Sequence, residues 1–161
     1  MVIIRRAALL VFLTVPVFTG AAQAEPKVRD LDYRALAELV AATAFPHFGN
    51  STEGTVIARV ESFEHEGKTF EVWVHENGAL RKGSEKDLDR SFGTNRRNWP
   101  PYTILFAVSD GADGKLSMEV RTWYDMGLTP ESRGGMQEVW KIGKRAGRWV
   151  VLGKETTLHV D

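Results

Sequence analysis

The sequence predicts an α+β fold in which an N-terminal helix packs on an antiparallel sheet and a short helical insertion interrupts the strands. Three observations carry this. Apolar residues recur at three-and-four spacing at Leu31, Tyr33, Leu36, Leu39, Val40, Thr43 and Ala44. From Thr55 onward β-branched and aromatic residues dominate and, in the best-defined run, alternate with polar ones. Between two strand-rich stretches lies a polar segment, Glu76 to Pro101, with one helix-sized run of charge.

Composition narrows the class. Of 161 residues 43% are hydrophobic and 26% charged, which excludes a disordered tail or a collagenous repeat. The chain has no cysteine, so disulfide staples and thiolate metal centres are excluded, and no motif asks for a cofactor. Lysines and arginines number 21 against 21 aspartates and glutamates, so no global charge excess points to nucleic acid.

Arg5 and Arg6 precede an apolar stretch, Ala7 to Phe18, and then the small residues Ala22-Gln23-Ala24. This reads as a secretory signal peptide over residues 1–24, cut between Ala24 and Glu25, and places the product in a bacterial periplasm or outside the cell. The apolar run is shorter than the roughly 20 residues of a span and contains Pro16, so no stable membrane anchor is expected. Residues 25–161 then form one α+β domain, large enough to fold without metal or disulfide.

The first element is a helix from Asp30 to Ala44, with Asp30 as its cap and Pro46 as its stop. Phe45-Pro46-His47-Phe48-Gly49 follows as an aromatic loop. Thr55–Val60 and Thr69–Val74 form a hairpin. A three-residue loop, His65-Glu66-Gly67, puts Val56, Ala58 and Val60 on the face of Phe70, Val72 and Val74 and leaves Arg59, Glu61, Trp73 and His75 on the other. Ser84 to Ser91 is a short helix capped by Ser84. Thr103–Ser109 and Leu116–Asp125 make a second hairpin, in which Leu116, Met118, Val120, Thr122 and Tyr124 take the buried face. Met136–Ile142 and Arg148–Leu152, the latter continuing to Val160, make a third, turning around Lys144 to Gly147.

The closing pattern Gln137-Glu138-Val139-Trp140-Lys141-Ile142 and Gly147-Arg148-Trp149-Val150-Val151, behind an N-terminal helix and a long strand, resembles the nuclear transport factor two-like superfamily. The resemblance covers residues 30 to 160 in element order. It implies a cone, a strongly curved antiparallel sheet around the helix, with a pocket at the open end and dimerisation through the outer sheet face. Such a pocket would gather Tyr33, Phe45, His47, Tyr102, Phe106 and Tyr124 and suit a small apolar ligand.

No constellation for catalysis emerges from the residues themselves. His47, His65, His75 and His159 form no ligand-spaced cluster, so no metal is expected. Asp110 to Gly114 lacks the twelfth-position carboxylate of a calcium loop. No Gly-x-Ser-x-Gly elbow occurs. His47, Asp125 and Tyr124 are the weak candidates for an acid, a base and a donor should the cone hold an isomerase or dehydratase. Arg81, Lys82, Lys86, Arg90, Arg96 and Arg97 make the insertion basic, offset by Glu85, Asp87 and Asp89, as on a solvated segment. Its functional alternative is an acidic protein partner or the anionic cell envelope.

The outer-face interface is expected at Trp73, His75, Arg121 and Trp123, an aromatic and arginine mixture set opposite Val72, Val74, Val120 and Thr122. The leading expectation is therefore an exported, soluble, non-catalytic binding or interaction module, a homodimer or the holder of a protein partner. A small cone-fold enzyme and a periplasmic immunity or inhibitor protein are the alternatives.

Overall fold

The computed structural model describes residues 28–49, 51–63, 69–93, 95–111, 115–125 and 133–160. The expected leader at residues 1–24 and the turn His65-Glu66-Gly67 lie outside the described residues. Helix α1 spans Tyr33–Ala44 and is capped by Asp32, whose carboxylate accepts from the Ala35 amide at 3.1 Å. Asp30, the cap expected from sequence, instead ends a 3₁₀ turn, Val28–Asp30. Pro46 does not open a loop. It enters a 3₁₀ turn, Phe45–His47, at a position where its missing N–H costs nothing.

The strands are β1 Val56–Val60, β2 Thr69–Glu76, β3 Ala79–Lys82, β4 Tyr102–Asp110, β5 Leu116–Asp125, β6 Arg133–Arg145 and β7 Arg148–Val160. Helix α2, Glu85–Phe92, lies between β3 and β4. One open sheet results, in the order β3-β2-β1-β4-β5-β6-β7. It is mixed rather than antiparallel, which corrects the sequence expectation. The connection through α2 returns the chain in the direction of β1, so β1 and β4 run parallel from Val56↔Thr103 to Arg59↔Phe106.

That parallel joint decides which side chains share a face. Ile57 lies beside Ile104 and Ala58 beside Leu105. Pairing of Val56 with Val74 and of Ala58 with Val72 keeps these four on one face, as the alternation of each strand demands. The opposite face collects Ile57, Trp73, Ile104, Phe106, Met118, Val120, Trp140 and Ile142, all buried under α1. Leu36, Ala37, Val40, Ala41 and Ala44 supply the helix side of that core, and the three alanines let the helix backbone approach the sheet closely. Helix α1 touches both β1 and β7.

The helices do not lie on one face. Val56, Ala58, Val72 and Val74 form a second, smaller core with Leu88 of α2 and Leu105. Helix α2 thus supplies a layer opposite α1, chiefly over β1 and β2, with Leu88 reaching the cluster that includes Leu105 of β4 and Phe92 reaching Trp123 of β5.

Candidate functional site

The candidate site is the outer sheet face, the side away from α1, along β5–β7 from the point where the end of α2 meets it. Trp123 lies there, half-buried at the far end of β5. The exposed ring of Phe92, at the end of α2, meets it edge-on with centroids 6.2 Å apart. Arg121, two residues back on the same face, sets its guanidinium 4.2 Å from the Phe63 ring and binds the Glu119 carboxylate at 2.9 Å. Farther along β6 and β7, Val139 and Leu152 are exposed. Leu152 is pushed outward by a register shift after Lys141, and it leans over Gly143, where a Cβ would come within 2.9 Å of Leu152 Cδ1.

The four residues expected to share this face do not. Trp73 is 3% exposed and stacks near Phe106 in the α1 core, with centroids 6.2 Å apart. His75 lies on the same side as Trp73, leaving only Arg121 and Trp123 outside. The expectation matched Val72 and Val74 with Val120 and Thr122. The β1–β4 register puts these two sets on opposite sides of the sheet.

The residues expected to line a pocket divide as well. At the end of the α1 face, Phe45 meets His75 edge-on at 4.8 Å and Phe48 at 5.8 Å. Phe48 stacks on Tyr102 at 3.7 Å, and the Tyr102 and Tyr124 rings are 6.5 Å apart. Phe45, Tyr102 and Tyr124 are therefore joined in one aromatic row, with Phe48 and His75 as members that the sequence reading had not assigned to it. Phe106 lies deeper, fully buried in the core. Tyr33 stands at the opposite end of α1, with its hydroxyl donating to the Val28 carbonyl at 2.8 Å and its ring under Arg59 at 3.4 Å. Burial pushes its phenol up, against the pull of Arg59. His47 is exposed, and so is Asp125, which falls on the other face from Tyr124.

Local backbone chemistry holds the aromatic row in place. Gly54, at φ +81°, donates to the His75 carbonyl at 2.8 Å, and the His75 amide donates to Thr55 at 2.9 Å. Two residues thus oppose one, a bulge whose first position requires glycine. The carbonyl of Thr52 lies 3.1 Å from His75 Nδ1 and can only accept, so that nitrogen carries the proton. This anchored imidazole packs against Phe45 as a wall.

Glu138 is the carboxylate that sequence reasoning passed over. It is 8% exposed on the α1 face, accepts from Trp140 Nε1 at 3.0 Å and Thr156 Oγ1 at 3.2 Å, and lies 3.7 Å from Lys154. Both oxygens are occupied, which suits cross-strand fastening rather than proton transfer. Three cations of the basic insertion are paired with carboxylates. Arg81 binds Glu76 at 2.6 Å and approaches Asp87 at 3.7 Å, Lys82 binds Glu71 at 3.1 Å, and Arg90 binds Asp87 at 2.7 Å. Among the described residues no group of three or more potential ligands could hold a metal, and no helix is long and apolar enough to cross a membrane.

No protein-family model, curated protein or solved structure matches the chain.

Proposed function

We propose that this chain is an exported, non-catalytic interaction module that pairs with a second copy of itself through the outer face of β5, centred on Trp123 and Phe92. The observation that carries the reading is Phe92, 55% exposed yet seated on a half-buried indole, beside an arginine lying over Phe63. Soluble proteins seldom leave such an aromatic and arginine surface bare, and it has the composition of an interface centre. A second copy is the occupant because the patch combines apolar rings with both members of the Arg121–Glu119 pair, so it can be its own complement across a two-fold axis. Export rests on the charged, apolar and small-residue order of residues 1–24.

The resemblance to the nuclear transport factor two-like superfamily gains support from one feature. Strands β1 and β7 are separated by β4, β5 and β6 and would lie roughly 19 Å apart on a flat sheet. Both nevertheless touch α1, as expected when a sheet wraps around its helix.

Sedimentation velocity of residues 25–161 tests the interface. The parent should sediment as a dimer, and Trp123→Glu as a monomer with an unchanged circular dichroism spectrum. A parent that remains monomeric at high concentration defeats the proposal, and so does a Trp123→Glu variant that stays dimeric.

A further inference from the structure

The β6–β7 hairpin carries a second surface, at its tip, roughly 33 Å along the strand from the Trp123 end. Between Val139 and Lys154 the chain has Lys141, Lys144, Arg145, Arg148 and Lys154 and no aspartate or glutamate. Lys154 turns inward, over Trp140 at 4.4 Å and toward Glu138. The other four are exposed, and none forms an ion pair among the described residues. This is the reverse of the insertion, where Arg81, Lys82 and Arg90 each have a carboxylate.

Two features of the tip oppose stability. Arg145 and Arg148 stand directly opposite each other in the ladder, where like charges repel. The turn between them is Ala146 at φ +49° and Gly147 at φ +77°, a geometry in which the first position favours asparagine, aspartate or glycine over alanine. A repulsive pair across a strained turn is what an anionic partner would relieve. The outer face of the same hairpin adds exposed Leu152 and half-exposed Val150 beside Lys141, Arg145 and Arg148.

We propose that this tip docks on an anionic phospholipid surface, with the four cations meeting lipid phosphates while Leu152 and Val150 enter the headgroup boundary. The mixture selects the partner. Three of the cations, Lys141, Arg145 and Arg148, share the outer face over roughly 13 Å of strand, with Lys144 on the other side, a spread that one free phosphate does not span. Single-stranded nucleic acid would use exposed rings for stacking, whereas Trp149 is half-buried with Lys144 Nζ 5.0 Å from its ring. A lipid surface accepts cations and small apolar side chains together. The proposal does not depend on the Trp123 interface, since the two surfaces occupy opposite ends of the hairpin.

Co-sedimentation of the mature protein with vesicles tests it, comparing phosphatidylcholine alone with phosphatidylcholine containing phosphatidylglycerol. Binding should require phosphatidylglycerol and weaken with salt. Each cation contributes about fivefold, so Arg145→Gln/Arg148→Gln should lower partitioning about 25-fold. The same pair should raise Tm, because it removes the repulsion, and this opposition of stability and binding would not arise from a structural role. Lys141→Gln/Lys144→Gln should weaken binding similarly, and Leu152→Ser should weaken it without altering the salt dependence. Trp123→Glu should bind as its monomer does, which separates this surface from the dimer face. Equal partitioning of the parent and both charge variants overturns the proposal, as does equal binding to phosphatidylcholine alone. Saturation by millimolar inorganic phosphate, or tighter binding to a short DNA duplex than to anionic vesicles, overturns it in favour of those ligands.

Discussion

Gly134 shows how closely one side chain can depend on the absence of another. It pairs with Tyr124 across β5 and β6, and a Cβ built on it would lie 2.6 Å from two atoms of the Tyr124 ring. The ring covers the glycine backbone and in doing so joins the row that runs through Tyr102 and Phe48 to Phe45. Gly134→Ala should therefore destabilise the protein by about 1–3 kcal/mol, the usual cost of overpacking, by expelling Tyr124 from that row. Denaturant unfolding gives the magnitude and the near-ultraviolet dichroism of the tyrosines gives the cause. A variant of parental stability with an unchanged aromatic signal would mean that the ring is free to move aside. Nothing in the sequence distinguishes Gly134 from Gly135 beside it, because the distinction is cross-strand register.

Helix α2 holds the element-scale chemistry. Its start is a reciprocal cap in which Asp87 accepts from the Ser84 amide at 2.9 Å and the Ser84 hydroxyl at 3.0 Å. Burial pushes the Asp87 carboxyl upward, but the Ser84 hydrogen bonds with Arg81 and Arg90 outweigh it and hold the group below its ordinary 3.8. The hydrogen bond from Arg81 likewise lowers Glu76 from its ordinary 4.5. Both shifts are depressions. The stability they add is complete above about pH 4.5 and is lost as the pH falls through the lower folded values. Thermal melts should thus show Tm falling below about pH 4, and Asp87→Ala should cost about 1 kcal/mol at pH 7 while flattening that acid limb. An acid limb as steep as the parent's would place the titration elsewhere.

Sequence reasoning reached α2 and its Ser84 cap, and its alternation within β5 agrees with the burial of Leu116, Met118, Val120 and Thr122. It missed β3. Asn77 and Gly78, at φ +54° and +76°, form the two-residue turn that sends β2 back into β3, and Asn-Gly is the strongest short-range hairpin signal a sequence offers. That signal lay inside a segment that reads as merely polar, since the strand after it is only four residues long and mostly exposed.

At the scale of the whole molecule, the illegible quantity was the phase between strands that are not consecutive. Each hairpin reports its own alternation, so Val72 with Val74, and Val120 with Thr122, were each grouped correctly. Whether those pairs face the same way depends on how β1 meets β4, and no local pattern encodes a parallel contact between segments more than forty residues apart. The same blindness hid the role of α2. With its layer counted, Val56, Ala58, Val72 and Val74 have cover of their own, Trp73 is free to enter the main core, and the open part of the outer face shrinks to β5–β7 beyond the end of α2. The candidate site was legible only at Arg121 and Trp123, residues whose strand neighbours in sequence are also their neighbours in space.

The parallel joint has a further consequence, for assembly of the fold from pieces. β1–β3 and β4–β7 are two meanders of consecutive antiparallel strands, and the ladder that joins them is the Val56–Arg59 and Thr103–Phe106 contact. Closing it within one chain costs about 3 kcal/mol of loop entropy for a separation of roughly fifty residues. The joint is not a weak hinge, because α1 belongs to the first meander yet packs into the core built largely by the second, with Phe106, Met118, Val120, Trp140 and Ile142. A chain opened between Gly93 and Asn95 should therefore yield two co-expressed fragments that copurify and regain the parental dichroism, each templating the other. Fragments that separate on a sizing column would show that continuity through α2, and not the shared core, unites the two halves.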